Sequence, residues 1–297
     1  MKLLLSSLVL LSSLSLQAAI TIGTYNIRNF DYDQRYRIRT NKSVLESQLK
    51  GMNADVVSVQ EINNTAEFER FVATKLPGYD TELSRCGGEH GQNLGFLYNK
   101  NKVDMLAFNE DLSISNPGGQ GTCNSGSRPM AIALFQIRAT KQKFYGISVH
   151  LKSGSQASSI QKRSMQYQII KNTIADLRSR TGVRDFYVAG DFNTTEYIHR
   201  GTDYVELNKV ARDLGMVDFA SNLKCTAYWW GGTDDGIETP SVLDHLLITR
   251  GLIKAASPRV NLGGHCQTVS CREAPVRNLG DSYAGVSDHC PITATVQ

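Results

Sequence analysis

The stretch Ser287-Asp288-His289-Cys290-Pro291-Ile292-Thr293-Ala294-Thr295-Val296 predicts both a core strand and a functional edge. From Ile292 onward its apolar residues alternate with threonines, as in a β-strand with one buried face. An acid and an imidazole, Asp288 and His289, stand side by side just before that strand. Because a charged pair has no structural reason to precede a core strand, the pair indicates a functional site there.

The same arrangement, an apolar strand with a polar residue near its end, recurs along the chain. The predicted strands span residues 20–27, 55–61, 79–83, 94–98, 103–108, 130–137, 143–149, 185–189 and 241–249, and the predicted helices span 44–52, 65–76, 158–180 and 204–214. The polar residues near strand ends are Asn26, Glu61, His150, Asp191, Asn193, Asp244, Asp288 and His289. A single one of them is more often a solvated cap or a turn residue than a ligand, but the set as a whole indicates a site.

Loops at one edge of a sheet gather residues from distant parts of a chain, so we expect these side chains to share one cleft. Carboxylate and amide oxygens favour a hard divalent cation, with Mg²⁺ expected and Mn²⁺ or Ca²⁺ as alternatives. Two histidines beside them suit proton transfer.

The first 18 residues have the pattern of a signal peptide. Lys2 precedes an apolar run from Leu3 to Leu16, and small residues follow at Ala18 and Ala19. The run is too short to span a bilayer, so the chain is predicted to be secreted, either to a periplasm or out of the cell. The alternative is a buried N-terminal helix. Residues 19–297 show no linker and are predicted to form one domain.

The chain has six cysteines, and in an exported protein an even number indicates disulfides. We expect Cys266 to pair with Cys271 across a small loop, and Cys86 to pair with Cys123 between two glycine-rich loops. Cys290 lies in the predicted core strand and is expected to be free. A zinc site is the alternative, and the absence of paired C-x-x-C spacing argues against it.

Six motifs together resemble the endonuclease/exonuclease/phosphatase superfamily, which includes nucleases, sphingomyelinases and inositol-polyphosphate phosphatases. The motifs are Thr24-Tyr25-Asn26-Ile27, Val59-Gln60-Glu61, Ser148-Val149-His150, Gly190-Asp191-Phe192-Asn193, Leu243-Asp244-His245 and Ser287-Asp288-His289. They occur in the family's order and cover nearly all of the chain after the leader. The resemblance implies an α/β four-layer sandwich, in which two packed mixed β-sheets are flanked by helices.

The resemblance also implies roles for the acidic and amide residues. Glu61 is the expected main metal ligand, assisted by Asn26 and Asp288. Asp191 and Asn193 are expected to position or deprotonate the attacking water. The metal is expected to offset charge on the transition state and to help activate the water.

The histidines receive the remaining roles. His289, oriented by Asp244, is expected to act as a base or as an electrophilic contact to the phosphate, and His150 to donate to the phosphate or the leaving oxygen. Many family members orient the equivalent of His150 with a glutamate, whereas residues 91–95 here contain no carboxylate. Asn93 is the residue in that segment expected to hold the ring. His245 stands where family members often have an aromatic residue.

The expected activity is that of a secreted metal-dependent nuclease that hydrolyses phosphodiester bonds of DNA by in-line attack of water, with RNA as an alternative substrate. The net charge of +4 allows a polyanionic partner without requiring one. Arg128 resembles a family position that contacts phosphate. The residues expected to bind substrate or to rim the cleft are Arg28, Arg35, Arg37, Arg128, Lys152, Lys162, Arg163 and Trp229.

Two other functions stay open at this stage. A secreted phospholipid phosphodiesterase of the sphingomyelinase kind would need an exposed apolar hairpin, for which Trp229 and Trp230 are the candidates. A catalytically silent binding module would not need both histidines and their acidic partners. No stable protein partner is indicated, and a monomer is expected.

Overall fold

A computed structural model describes residues 20–124, 126–255 and 257–296 of the chain, and two large β-sheets dominate it. The predicted signal peptide, residues 1–18, lies outside the described residues. The strands are β1 (Thr21–Phe30), β2 (Tyr32–Asp33), β3 (Ile38–Arg39), β4 (Val56–Ile62), β5 (Tyr79–Leu83), β6 (Asn93–Asn99), β7 (Val103–Asp111), β8 (Met130–Ile137), β9 (Lys143–His150), β10 (Phe186–Asp191), β11 (Met216–Asp218), β12 (Ala227–Trp229), β13 (Ile237–Ser241), β14 (Asp244–Thr249), β15 (Arg259–Leu262), β16 (Ala274–Pro275) and β17 (Ile292–Thr295). The helices are α1 (Lys42–Met52), α2 (Thr65–Lys75), α3 (Ala157–Thr181), α4 (Thr202–Leu214), α5 (Gly264–Thr268) and α6 (Gly280–Gly285).

Each large sheet has six strands and is mixed. The first has the order β15-β17-β1-β4-β6-β5, and the second has the order β11-β14-β10-β9-β8-β7. In each sheet one central pair is parallel, β1 with β4 and β9 with β10. The last strand, β17, pairs antiparallel with the first strand, β1.

The hydrophobic clusters define four layers. One cluster lies between the sheets and contains residues such as Val56 and Phe96 of the first sheet and Phe135 and Leu246 of the second. A second cluster joins the outer face of the first sheet to α1 and α2, and a third joins the second sheet to α3 and α4. Burial of these apolar faces is the main stabilising contribution to the fold. The predicted four-layer α/β sandwich is confirmed.

The predicted elements differ from the observed ones mainly near the cleft. The strand expected over 241–249 is two strands, β13 and β14, which belong to different sheets. The basic segment before α1 forms a short hairpin of β2 and β3. Within the described ranges, no helix is long and apolar enough to cross a membrane.

The structure contains three disulfides, and one of them was predicted. Cys86 pairs with Cys123, as expected. The expected Cys266–Cys271 pair is wrong, because Cys266 bonds to Cys290 and Cys271 bonds to Cys225. Cys290, expected to be free, therefore ties the start of the last strand to α5. Cys266 and Cys271 are near in sequence but separated by the end of α5, so they meet different partners.

Candidate active site

Three neighbouring strands of the second sheet place three site residues side by side. Asp191 at the end of β10 is in register with His150 at the end of β9 and with Asp244 at the start of β14. All three are buried. The parallel pairing of β9 with β10 and the antiparallel pairing with β14 bring the three functional groups to the same sheet edge. This is the gathering that the sequence predicted.

The first sheet contributes Asn26 and Glu61 from its parallel central pair. Asn26 is in register with Gln60, and the β1–β4 pairing is irregular beyond that point. Glu61 has a φ of 61°, in the left-handed region that residues other than glycine rarely occupy. Asn26 donates its side-chain N–H to Glu61 Oε1 at 3.0 Å, and the backbone N–H of Asn29 donates to Glu61 Oε2 at 3.1 Å. The irregular backbone and these two donors fix the Glu61 carboxylate.

Asp191 is the point at which the two sheets meet in the cleft. Its Oδ2 lies 3.2 Å from His150 Nε2 and 3.7 Å from His289 Nε2. Asn26 donates to the same oxygen at 3.3 Å. The backbone N–H of Asn193 donates to Asp191 Oδ1 at 2.8 Å, and the Asn193 side chain donates to the Leu151 carbonyl at 3.1 Å. One carboxylate thus contacts both predicted proton-transfer residues.

His289 contacts Asp244, the partner that the family resemblance implied for it. His289 Nδ1 lies 2.8 Å from Asp244 Oδ2, which leaves Nε2 directed toward Asp191. Thr226 Oγ1 accepts the backbone N–H groups of Leu243 and Asp244, each at 2.9 Å, and so fixes the turn into β14. Asp244 is therefore fixed through its backbone, and His289 is fixed through its contact with Asp244.

Burial and charge act in opposite directions on the ionisable groups. Burial raises the pKa of Asp191, but the charges of His150 and His289 outweigh it and hold that pKa below its usual range. Burial lowers the pKa of His289, but Asp244 and Asp191 hold it well above its usual value. These shifts have a common origin, since the acids and the imidazole stabilise one another's charged forms.

Two overlapping groups of side chains have the spacing of metal ligands. Ligand atoms of Glu61, His150 and Asp191 lie within 4.8 Å of one another, as do those of Asp191, Asp244 and His289. Asp288, a predicted ligand, belongs to neither group and lines a neighbouring cavity instead. Both groups share Asp191. The first group contains the residue expected to be the main ligand.

His150 is held differently from the sequence-based expectation. Its Nε2 lies 3.8 Å from Glu61 Oε1 as well as 3.2 Å from Asp191 Oδ2. Its Nδ1 is buried and has no hydrogen-bond partner in the described part of the chain. Asn93, expected to hold the ring, donates to the Ser84 carbonyl instead. The observed partners of His150 are thus Glu61 and Asp191, which face its Nε2.

The predicted substrate-binding residues divide into two sets. Arg128 and Lys152 line one cavity, of about 240 Å³, together with Lys162 and Ser153. Burial holds the pKa of Arg128 below its usual value, although the charges of Glu61 and Asp191 act to raise it. Trp229 lies in a different cavity, and its side chain is 45% exposed. The structure therefore places a basic cavity and an aromatic cavity around the acidic centre.

Two arginines expected at the cleft rim are buried. Arg28 is nearly inaccessible; its Nε lies 3.5 Å from Asp33 Oδ2, and its guanidinium lies over the Tyr36 ring. Arg163 is 0% exposed and pairs with Asp203. Arg163 also donates to the carbonyls of Lys152 and Gly154 at 2.8 Å. It is therefore a structural tie that fixes the loop after His150, because a buried guanidinium requires such partners.

Sequence reasoning missed a hydrogen-bonded chain that connects the basic cavity to Glu61. Arg128 Nη2 donates to Gln92 Oε1, and Gln92 Nε2 donates to Asn29 Oδ1 at 2.7 Å. The backbone of Asn29 in turn donates to Glu61. Gln92 lies in segment 91–95, where many family members have a glutamate. That position is the sequence feature that could have pointed to this hydrogen-bonded chain.

Comparison with known proteins bears on the family and the fold. A model of the endonuclease/exonuclease/phosphatase family matches residues 23–289. A search of curated protein sequences finds no match. Among solved structures, an endonuclease/exonuclease/phosphatase from Bacteroides vulgatus is 19% identical with a TM-score of 0.64, covering 95% of this chain and 99% of that one.

Two further structures show how varied the similar proteins are. D. rerio TDP2, solved in complex with a single-strand DNA product, is 18% identical with a TM-score of 0.61, covering 94% of this chain and 98% of that one. A mannosyl-6-phosphatase from Bacteroides thetaiotaomicron is 17% identical with a TM-score of 0.61, covering 93% and 98%. At these identities the likeness establishes the fold, and the substrate has to be argued from the site.

Proposed function

The chain belongs to the endonuclease/exonuclease/phosphatase family, and from this premise we propose that it is a secreted, divalent-metal-dependent nuclease. The proposed reaction is hydrolysis of phosphodiester bonds of DNA by in-line attack of water, with RNA as the second substrate to be tried. The observation that carries the proposal is the convergence of Glu61, His150 and Asp191 within 4.8 Å, with the His289–Asp244 pair against Asp191.

The residues present fit a divalent cation. Glu61 and Asp191 offer hard carboxylate oxygens within 4.8 Å of one another, and such oxygens suit Mg²⁺ or Mn²⁺. His150 Nε2 faces both carboxylates and is kept for the substrate. When bound, the cation supplies Lewis-acid stabilisation of charge on the phosphate oxygens. Asn26 fixes both carboxylates through its amide and so keeps the oxygens aimed at one point.

The other side chains have roles that follow from their contacts. Asp191, held by the Asn193 backbone, is placed to orient a water and accept its proton. His289 is aligned by Asp244 through its Nδ1, and its Nε2 faces Asp191 at 3.7 Å, so it is placed to contact a phosphate oxygen. His150, whose Nε2 contacts the same Asp191 oxygen at 3.2 Å, is assigned to the leaving oxygen.

Three features support a nucleic acid as the substrate. The chain carries a net charge of +4, and Arg128, Lys152 and Lys162 line one cavity near the acids. Such cations position a phosphate backbone without reading its sequence. The similar TDP2 structure contains a single-strand DNA product.

A phospholipid phosphodiesterase is the second candidate, because two tryptophans stand exposed beside the site. Trp229 is 45% exposed and Trp230 is 48% exposed. Exposed indoles are frequent where proteins contact a membrane interface. The loop that follows, Gly231 to Gly236, carries two aspartates and is poorly suited to insertion in a bilayer.

Export is supported by the three disulfides. Such bonds persist in oxidising compartments and are rare in reducing ones. We propose that the mature chain is released after residue 18 and acts outside the cytoplasm.

The test is cleavage of supercoiled plasmid by residues 19–297 with Mg²⁺ or with EDTA. Mg²⁺-dependent nicking is expected, and Glu61→Gln should lower its rate at least about a thousandfold while the fold is kept. Glu82→Gln, on the exposed edge strand β5, is the matched control and should match the unmodified chain. An intact plasmid together with hydrolysis of sphingomyelin vesicles would favour the second candidate.

A further inference from the structure

The cavity that contains Trp229 has a volume of about 490 Å³ and is also lined by Asp288, the residue before His289. Its volume is in the range of sites that bind small organic groups. One part of its wall is aromatic, formed by Tyr36, Trp229 and Trp230. The cavity adjoins the reacting centre through the chain itself, since the backbone N–H of Tyr228 donates to the Asp288 carbonyl at 2.9 Å.

The charged part of the wall consists of Asp234, Glu238 and Asp288 together with Arg35, and its most buried member is Glu238 on β13. This side chain lines the cavity and is only 7% exposed. Its Oε2 is buried and has no hydrogen-bond partner in the segments that the structure describes. Tyr283 lines the same cavity. A buried acceptor without a donor is unfavourable, so a ligand that donates N–H here would be stabilised.

The two tryptophans supply a stacking surface in the same cavity. Trp229 on β12 and Glu238 on β13 both line it, from two strands that pair antiparallel. The Trp229 and Trp230 rings lie 6.4 Å apart at 82°, and both are about half exposed. Exposed aromatic faces favour stacking with a planar heterocycle.

We propose that this cavity is a nucleobase subsite that selects guanine next to the scissile phosphate, with Glu238 as the specificity-determining residue. The inference rests on the proposed nuclease function. Guanine presents two adjacent donors, N1–H and the 2-amino group, which match a carboxylate. Adenine and cytosine present one amino group beside an acceptor nitrogen. Thymine and uracil present one N–H between two carbonyl oxygens, which the carboxylate would repel.

The chain offers a direct test, because Trp229 and Trp230 are its two tryptophans. Intrinsic fluorescence should therefore report on this cavity when guanosine, inosine, adenosine or uridine monophosphate is titrated into residues 19–297. We expect the guanosine nucleotide to bind about tenfold more tightly than the inosine nucleotide, which lacks the 2-amino group. Glu238→Gln should remove that difference. Glu273→Gln, an exposed acid beside β16, is the matched control and should retain it.

A second variant keeps the test valid if Glu238→Gln does not fold. Trp229→Leu changes a half-exposed side chain and should weaken all four nucleotides alike while the Trp230 signal remains. Equal binding of the four nucleotides by the unmodified chain would overturn the guanine subsite. A stronger response to phosphocholine than to any nucleotide would overturn it in favour of a cationic headgroup.

Cleavage of short oligonucleotides that contain one guanine separates this inference from the proposed function. Preferred cleavage beside the guanine, lost in Glu238→Gln, is the expected result. Cleavage without base preference, with no guanine-selective binding, would leave the nuclease standing and overturn the subsite. Guanine-selective fluorescence without cleavage of any oligonucleotide would support the subsite and overturn the nuclease.

Discussion

Two histidine–aspartate pairs, His289–Asp244 and His245–Asp218, have the same internal geometry and opposite surroundings. In each pair the histidine Nδ1 lies 2.8 Å from a carboxylate oxygen. Asp244 and His245 are adjacent on β14, so their side chains point to opposite faces of the second sheet. Asp244 therefore reaches the cleft between the sheets, and His245 reaches the layer beneath α4.

The difference lies in the second ring nitrogen. His245 Nε2 contacts Thr194 Oγ1 at 2.8 Å, and the side chain is 0% exposed. His289 Nε2 faces Asp191 at 3.7 Å across the cleft. A histidine with both nitrogens engaged inside the protein stabilises the fold, whereas one with a nitrogen turned to the cleft is available for chemistry. The aspartate–histidine pair alone does not mark a catalytic group.

The largest expected effect is that of His289→Ala on the rate of cleavage. Loss of a positioned proton-transfer or phosphate contact should lower the single-turnover rate about 10²–10⁴-fold. The free energy of unfolding should also fall, because the truncation leaves the buried Asp244 carboxylate without its imidazole partner. Rapid-quench cleavage and urea unfolding measure the two quantities. A near-normal rate would remove His289 from the site.

The next effect is that of Asp244→Asn, which keeps the shape of the pair and removes its charge. The rate should fall about a hundredfold, because the imidazole loses the partner that fixes its orientation. The pKa of His289 should also fall, since the Asp244 charge is one of the causes that hold it high. NMR titration of the His289 ring in EDTA measures this. An unchanged His289 pKa would contradict the assigned cause, and Asp218→Asn is the matched control.

His245→Ala should affect stability more than rate. Removal of the ring leaves Asp218 Oδ2 without its histidine partner in a buried setting, so the free energy of unfolding should fall by about 2 kcal/mol. The cleavage rate should stay within about tenfold of the unmodified chain, since His245 does not face the cleft. If the rate fell a hundredfold with stability intact, the two pairs would have to be coupled through β14.

The sequence could predict those features of the fold and the site that depend on residues close together in the chain. The strand-end residues could be found because the apolar alternation and the family motifs stop at them, and their gathering at one edge follows from the sheet topology. The distinction between His245 and His289 could not be found, since it depends on which face of β14 each side chain meets. Cys266–Cys290 and the burial of Arg163 also depend on contacts between distant segments.

The smallest expected effect concerns the basic cavity. Its Arg128 is connected to Glu61 by the hydrogen bonds of Gln92 and Asn29. Arg128→Ala should weaken binding of single-stranded DNA and lower the slope of log affinity against log salt by about 1. Fluorescence anisotropy over a salt series measures the slope. Arg138→Ala, exposed and paired with Asp104 on β7, is the matched control. An unchanged slope would mean that Arg128 serves only to hold Gln92, because a guanidinium that meets a phosphate must release counterions when it binds.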